Sequence, residues 1–182
     1  MKKENNTLRV REIEAADIPY LVDYWLYSDP EHLVAMGVDL DKLPNEDELE
    51  EMLGSQLGLP LSEKKSYALI WEQNGEPVGH CNVNQIEFGK QAHMHLHLWQ
   101  ADNRKAGIGS ALVKKSIPVF FENLELETLI CEPYTLNPAP NKTLEKIGFT
   151  FIKSHTCVPG YLNFEQEVNR WEMTHETFKS IF

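Results

Sequence analysis

Two short stretches carry residues whose types and spacing could do chemistry. In "HMHLHLW" (93–99), His93, His95 and His97 fall on one face of an extended chain. Met94, Leu96 and Leu98 fall on the other. "GHCNVN" (79–84) alternates in the same way, with His80, Asn82 and Asn84. A two-residue turn between these segments, at "FG" or "GK", pairs positions of odd sum and brings both polar rows to one face. Imidazoles titrate near neutral pH, so the band can take up and pass on a proton during a reaction. Two other readings fit the same residues. One is a structural network of mutually satisfied groups. The other, from the i, i+2, i+4 spacing, is a zinc site. No carboxylate or fourth ligand follows locally, and no metal is expected.

The second stretch is "ADNRKAGIGSALVKK" (101–115), with Gly107 and Gly109 between a strand pattern and a helix pattern. A glycine turn that opens a helix suits a phosphate, because backbone N–H groups and the positive helix end meet there. A phosphate loop of the GxxxxGK[ST] kind is absent from the sequence. The dinucleotide fingerprint GxGxxG fails at Leu112, and the turn follows a hairpin in mid-chain. Arg104, Lys105, Lys114 and Lys115 surround the turn in a chain whose formal net charge is −11. That local basic patch would offset the general repulsion of a polyanion.

Residues 104–109, "RKAGIG", match [RQ]xxGx[GA], and "NPAPNKTLEKIGF" (137–149) follows at the right distance. On these two motifs the chain resembles the GNAT superfamily of N-acetyltransferases, and most of all its branch of ribosomal-protein N-terminal acetylases. The resemblance implies one α/β (α+β) domain over 1–182, with a core at about 7–176. Its single mixed, mostly antiparallel sheet is flanked by helices, with a splayed central pair of parallel strands and a bulge in the strand before the loop. It implies acetyl-CoA as cosubstrate, with the diphosphate at Arg104, Lys105, Ala106, Gly107, Ile108, Gly109 and Ser110. The pantetheine arm would lie between "MHLHLW" and "TLICEP", facing Asn137. Backbone N–H groups at Leu98, Trp99 and Gln100 would polarise the thioester carbonyl.

The usual phenol and hydroxyl of the family's helix are replaced here by Leu144 and Pro140. Tyr134 is the nearest alternative acid, and Glu132 the best carboxylate alternative for a base. His97 lies nearest the expected oxyanion site and ranks first among the histidines, with His80 second. No Ser-His-Asp or Cys-His set points to an acyl-enzyme, so direct attack by a primary amine is expected. The rival of another class is a non-catalytic acyl-CoA-binding or regulatory domain.

Several elements must hold these residues in place. "TLRVREI" alternates as a strand, and "EAADIPYLVDYWLY" has helical spacing. Asn45 followed by acids opens a helix over "NEDELEEMLGSQLG". Asn74-Gly75 joins "SYALIWEQ" and "EPVGHCNVNQIEF" as a hairpin. The helix "GSALVKKSIPVFFEN" carries Pro118, which is expected to kink or shorten it. "LETLICEPY" is a buried strand, Gly148 caps the next helix, and "FTFIKSHT" and "NRWEMTHE" are two further strands.

The acidic balance argues against nucleic acid and anionic membranes as partners. With the run Glu46–Glu51, it favours a cationic small-molecule amine or a peptide N-terminus as acceptor. "MKKENNTLRV" lacks an apolar leader core, and the three cysteines form no CxxC pair, so a reduced cytoplasmic protein is expected, as monomer or homodimer.

Overall fold

The computed structural model describes residues 6–100, 102–103 and 107–182. Its strands are β1 (Leu8–Glu12), β2 (Tyr67–Gln73), β3 (Glu76–Glu87), β4 (Gln91–Leu98), β5 (Thr128–Cys131), β6 (Thr150–Cys157) and β7 (Gln166–Thr174). The helices are α1 (Ile18–Tyr27), α2 (Pro30–Ala35), α3 (Glu46–Gln56), α4 (Ile108–Asn123), α5 (Pro138–Ile147) and α6 (His175–Ile181). The strands form one seven-stranded sheet in the order β1-β2-β3-β4-β5-β7-β6. Only β4 and β5 run parallel; the other neighbours are antiparallel. This is the mixed, mostly antiparallel sheet that the resemblance implies.

Local chemistry explains most boundaries. Asn45 caps α3 by accepting the Glu48 N–H at 3.0 Å, and the Glu48 carboxylate returns a bond to the Asn45 N–H. Asn74 and Gly75 both take positive φ, as a two-residue hairpin turn requires. Arg11 of β1 grips Asp17, just before α1, at 2.6 and 2.8 Å, and Glu72 of β2 at 2.7 Å. That network fixes where α1 starts and so where its inner face, with Leu21 and Tyr24, meets the sheet.

Four expectations are corrected. Pro118 does not shorten α4, which runs unbroken past it between buried Ile117 and Phe120; tertiary packing outweighs the lost backbone bond. The β3–β4 connection spans three residues, 88–90, since Glu87 pairs with Gln91. A bulge between Asn84 and Glu87, with Gln85 at φ 47°, then restores the odd-sum register, so His80 still faces His97. That bulge lies in β3, whereas β4 pairs without interruption from His93 to Leu98. The strand "NRWEMTHE" stops at Thr174, whose hydroxyl accepts the Thr177 N–H at 3.2 Å and starts α6.

The core lies between the sheet and α4, α5 and α6. Trp71, Val83, Met94, Leu112, Ile117, Phe120, Leu129 and Leu144 are all buried in it. Trp71 donates to Ser116 Oγ at 2.8 Å, and Ser116 returns a bond to the Leu112 carbonyl. No helix of the described residues is long and apolar enough to cross a membrane.

Candidate active site

The site begins with a parallel pair that parts early. β4 and β5 register only at Gln91↔Thr128, Ala92↔Leu129 and His93↔Ile130. β5 ends at Cys131 while β4 continues to Leu98, leaving an opening in the sheet. In an antiparallel ladder, alternate residues direct their backbone groups to opposite sides. The Trp99 N–H bonds the Val78 carbonyl at 3.0 Å, and Gly79 stands opposite Leu98. The backbone groups of Leu96 and Leu98 therefore point away from β3, toward the opening. The Met94 carbonyl, of the same parity, accepts the Cys131 thiol at 3.1 Å across it. The expectation for Trp99 is corrected: its N–H belongs to the sheet. Gln100 is exposed beyond the strand. Gly79 is needed here, because a Cβ would stand 2.4 Å from the His97 carbonyl oxygen and 3.1 Å from Trp71.

On the core side of the opening is a cleft of about 440 Å3. Gly107 opens α4 at φ 73°, with open space where its Cβ would be. Gly109 has a different task, since a Cβ there would lie 3.2 Å from Leu98 Cδ1. It lets α4 seat against β4. Ser110 lines the cleft, while the Ile108 side chain is buried in the core. Arg104, Lys105 and Ala106 lie outside the described residues. Lys142, Thr143 and Lys146 of α5 also line the cleft. The two lysines are one turn apart, and their i, i+4 spacing in "NPAPNKTLEKIGF" was the available signal. Leu144 is wholly buried in the core and offers nothing to the cleft.

Asn137 lines both this cleft and a second cavity of about 220 Å3 on the other side of the opening. Leu96, His97, Met36 and Pro140 are also shared, so the two spaces abut at His97. Asn141 holds this corner. Its carboxamide donates to the Tyr134 and Asn137 carbonyls at 3.2 and 2.8 Å. It accepts from Asn169 and from the Trp171 indole, both at 2.9 Å.

The polar rows do share a face, with His80 opposite His97, Asn82 opposite His95 and Asn84 opposite His93. The His80 and His97 rings stack at 4.6 Å. His80 is 1% exposed, and its Nδ1 accepts from the Trp99 indole at 2.8 Å. An indole only donates, so His80 carries its proton on Nε2. Burial, then the neighbouring His95, pushes His80 down to about 3. Burial, then His93, pushes His95 down to about 4, and its Nε2 meets Asn84 Oδ1 at 3.0 Å. Burial, then His80, His95 and His32, holds His97 well below the ordinary value. For His80, His95 and His97 the expectation of near-neutral titration is therefore corrected: burial and neighbouring imidazoles favour their neutral forms.

His97 nonetheless joins a hydrogen-bonded chain. Its Nδ1 lies 3.2 Å from the Tyr24 hydroxyl, which lies 3.4 Å from His32 Nε2. Tyr24 and His32 both line the cleft of about 440 Å3. Neither stood out in the sequence, since Tyr24 reads as the apolar stripe of a helix and His32 as a loop residue.

Glu132 and Tyr134 line the second cavity, not the cleft. The bond from His93, against the pull of burial, holds the Glu132 carboxyl below its usual range, with help from Arg170 and His155. Its oxygens lie 3.5 Å from His93, 3.3 Å from His155 and 3.5 Å from Arg170. Glu132, His155 and Cys157 bring metal-ligand atoms within 4.8 Å of one another, but the Arg170 guanidinium shares the same carboxylate oxygen as His155. The cluster is an ion-pair network. Tyr134 packs edge-on against Phe164. α3 borders the cavity with Leu49, Met52 and Leu53, while the acids of Glu46–Glu51 are exposed elsewhere on the helix.

The parallel pair thus parts beside a glycine-led helix, with a cavity on either side. The family model "Acetyltransferase (GNAT) domain" matches residues 7–150, and the chain belongs to that family. It is an acetyl-CoA-dependent N-acetyltransferase by that membership. No curated protein is significantly similar to it in sequence. Among solved structures it is similar to spermidine N-acetyltransferase from Vibrio cholerae in complex with CoA and spermine. That match has a TM-score of 0.77 at 15% identity, covering 94% of this chain and 98% of that one. A ribosomal L7/L12 alpha-N-protein acetyltransferase, RimL, in complex with CoA gives 0.76 at 17% identity, with 94% and 96% covered. Aminoglycoside acetyltransferase AAC(6')-Ib with CoA gives 0.73 at 18%, with 96% and 98% covered. At these identities the likeness is one of fold.

Proposed function

We propose that the chain moves the acetyl group of acetyl-CoA to the primary amine of a small molecule or a peptide N-terminus by direct attack in a ternary complex. The observation that carries this reading is the opening between β4 and β5, which joins the glycine-led cleft to the second cavity at His97. Acetyl-CoA takes the cleft, with its diphosphate at Gly107, Gly109 and Ser110 and with Lys142 and Lys146 at the rim. The amine waits in the second cavity.

The apolar walls favour the neutral amine over the ammonium, because desolvation penalises the charged form. The nitrogen attacks the thioester carbonyl carbon, and a C–N bond forms as the C–S bond breaks. The backbone N–H of Leu96 stabilises the oxyanion that develops. The nitrogen then loses one proton, taken by His97, and the departing thiolate gains one from Tyr24. The His97–Tyr24–His32 chain balances the two transfers. The products are the acetamide and free CoA thiol. We assign the proton path to this chain over Glu132, which is already partnered, and over Tyr134, which lies on the acceptor side. A cytoplasmic setting suits the three free cysteines.

A panel of primary amines, incubated with purified protein and acetyl-CoA, tests the reading. Thiol release with a matching N-acetyl product supports it. Tight acetyl-CoA binding with no acetylated amine across the panel overturns it in favour of an acyl-CoA-binding domain.

A further inference from the structure

The acceptor cavity contrasts with the charge of the chain that contains it. One wall of the cavity is formed by Leu49, Met52 and Leu53 of α3 with Leu21 and Trp25 of α1. The neutral amides of Asn82, Asn84, Asn163 and Gln166 also line it. Tyr161, from the loop before β7, closes over it and its hydroxyl reaches Met52 Sδ at 3.5 Å. The acids of α3 take no part: Glu46, Asp47, Glu50 and Glu51 are exposed and absent from the lining, and Glu48 is spent on the cap of its own helix. Among the described lining residues the sole carboxylate is Glu132, which His93, His155 and Arg170 already surround. A polyamine or aminoglycoside would bring further ammonium groups against Leu49, Met52 and Trp25 with no unpartnered anion to meet them. Burying such charges is unfavourable. An aryl or alkyl group there gains contact with a thioether and aromatic faces.

We infer that the acceptor is a primary amine on an apolar, aromatic-sized body without a second cation, its nitrogen toward His97 and its body beneath the Tyr161–Met52 contact. The orientation of the nitrogen rests on the acetyl-transfer reading; the preference for the body does not. Two sources share this chemistry: a free arylalkylamine, and a peptide N-terminus whose first side chain is aromatic.

Calorimetry on the full chain saturated with CoA, which allows no turnover, isolates binding. The probes are 2-phenylethylamine, phenylalanylglycine amide, spermidine and kanamycin. The expected result is that an aromatic amine binds at least ~10-fold more tightly than spermidine or kanamycin. Tighter binding of the dipeptide amide than of phenylethylamine assigns the source to a peptide terminus, and the reverse assigns it to a free amine. Met52 is 39% exposed and Tyr161 57%, so Met52→Glu and Tyr161→Ala spare the core. Met52→Glu should weaken the aromatic amine and strengthen spermidine, reversing the order; Tyr161→Ala should weaken only the aromatic amine. Spermidine or kanamycin binding as tightly as the aromatic probes, or an order that Met52→Glu leaves unchanged, overturns the inference. An aromatic preference without any acetylation in the presence of acetyl-CoA would uphold the inference and sink the transfer reading. Acetylation with a polyamine preference would do the opposite.

Discussion

Acidification should weaken this fold earlier than its carboxylates alone would. Unfolded histidines titrate near 6.5, whereas the native His80 is held at about 3, His95 at about 4 and His97 well below the ordinary value. The neutral imidazoles thus stabilise the fold fully above pH ~6.5. As pH falls, the unfolded chain gains protons that the native chain refuses, and stability declines until the native groups protonate too. Integrated from about pH 7 to about pH 5, each such histidine removes up to ~2 kcal/mol. His80 and His95 together remove up to ~4 kcal/mol, against a total of roughly 5–15 kcal/mol for a typical domain, and His97 acts in the same direction. Carboxylates held low, such as Glu132 and Asp17, lose their contribution only at lower pH. Urea unfolding at a series of pH values measures the slope, and proton NMR of the imidazoles measures the native titrations directly. His95→Gln should flatten the slope by about one proton. Native titration of His80 or His95 near 6.5, or stability that is flat from about pH 7 to about pH 5, would refute the reasoning. By the same logic the acidic limb of kcat/KM should not be set by these histidines.

Other expectations concern single contacts. Tyr24→Phe keeps the ring against Trp25, His80 and His97 but removes the hydroxyl between His97 and His32. Steady-state kinetics should show kcat lower by ~10²-fold with acetyl-CoA affinity little changed, and an unchanged kcat would remove Tyr24 from the proton path. Gly107→Val forces a branched residue to positive φ at the head of α4; calorimetry should show acetyl-CoA binding weakened by ~10-fold or more, about 1.4 kcal/mol. Replacing Lys142 and Lys146 together by Ala should weaken acetyl-CoA mainly at low salt, so the salt dependence of its affinity should flatten. Asn141→Ala leaves the Trp171 indole without its acceptor and removes the bonds to the Tyr134 and Asn137 carbonyls; thermal unfolding should report a loss of roughly 2–4 kcal/mol.

Much of the scaffold was legible because its signals are local. Asn45 with acids after it, Asn74-Gly75 between alternating runs, and Gly148 after a helical pattern each set a boundary by chemistry within four residues. Alternation alone placed His80 and His97 on one face, although the turn beside them is longer than expected and the Gln85 bulge made up the difference. What escaped the sequence depends on partners far along the chain. Trp99 was read as a donor to the thioester, but its N–H is claimed by Val78 on the neighbouring strand. The histidines were read at their solution values, which α1 overturns by covering them with Tyr24 and Trp25. Gly109 was read as room for a phosphate, and nothing in the sequence signalled that its missing Cβ also makes room for Leu98. The run Glu46–Glu51 is acidic in sequence, yet only its one apolar member, Leu49, reaches the cavity.

The central claim is that acetyl passes straight from the thioester to an amine across the opening between β4 and β5. Purified protein mixed with labelled acetyl-CoA, first alone and then with an accepted amine, tests it in one single-turnover experiment followed by mass spectrometry. Direct transfer predicts an unmodified protein mass throughout and the label appearing on the amine at the rate at which CoA thiol is released. A labelled protein formed before the amine is added, and discharged by it, would contradict the account.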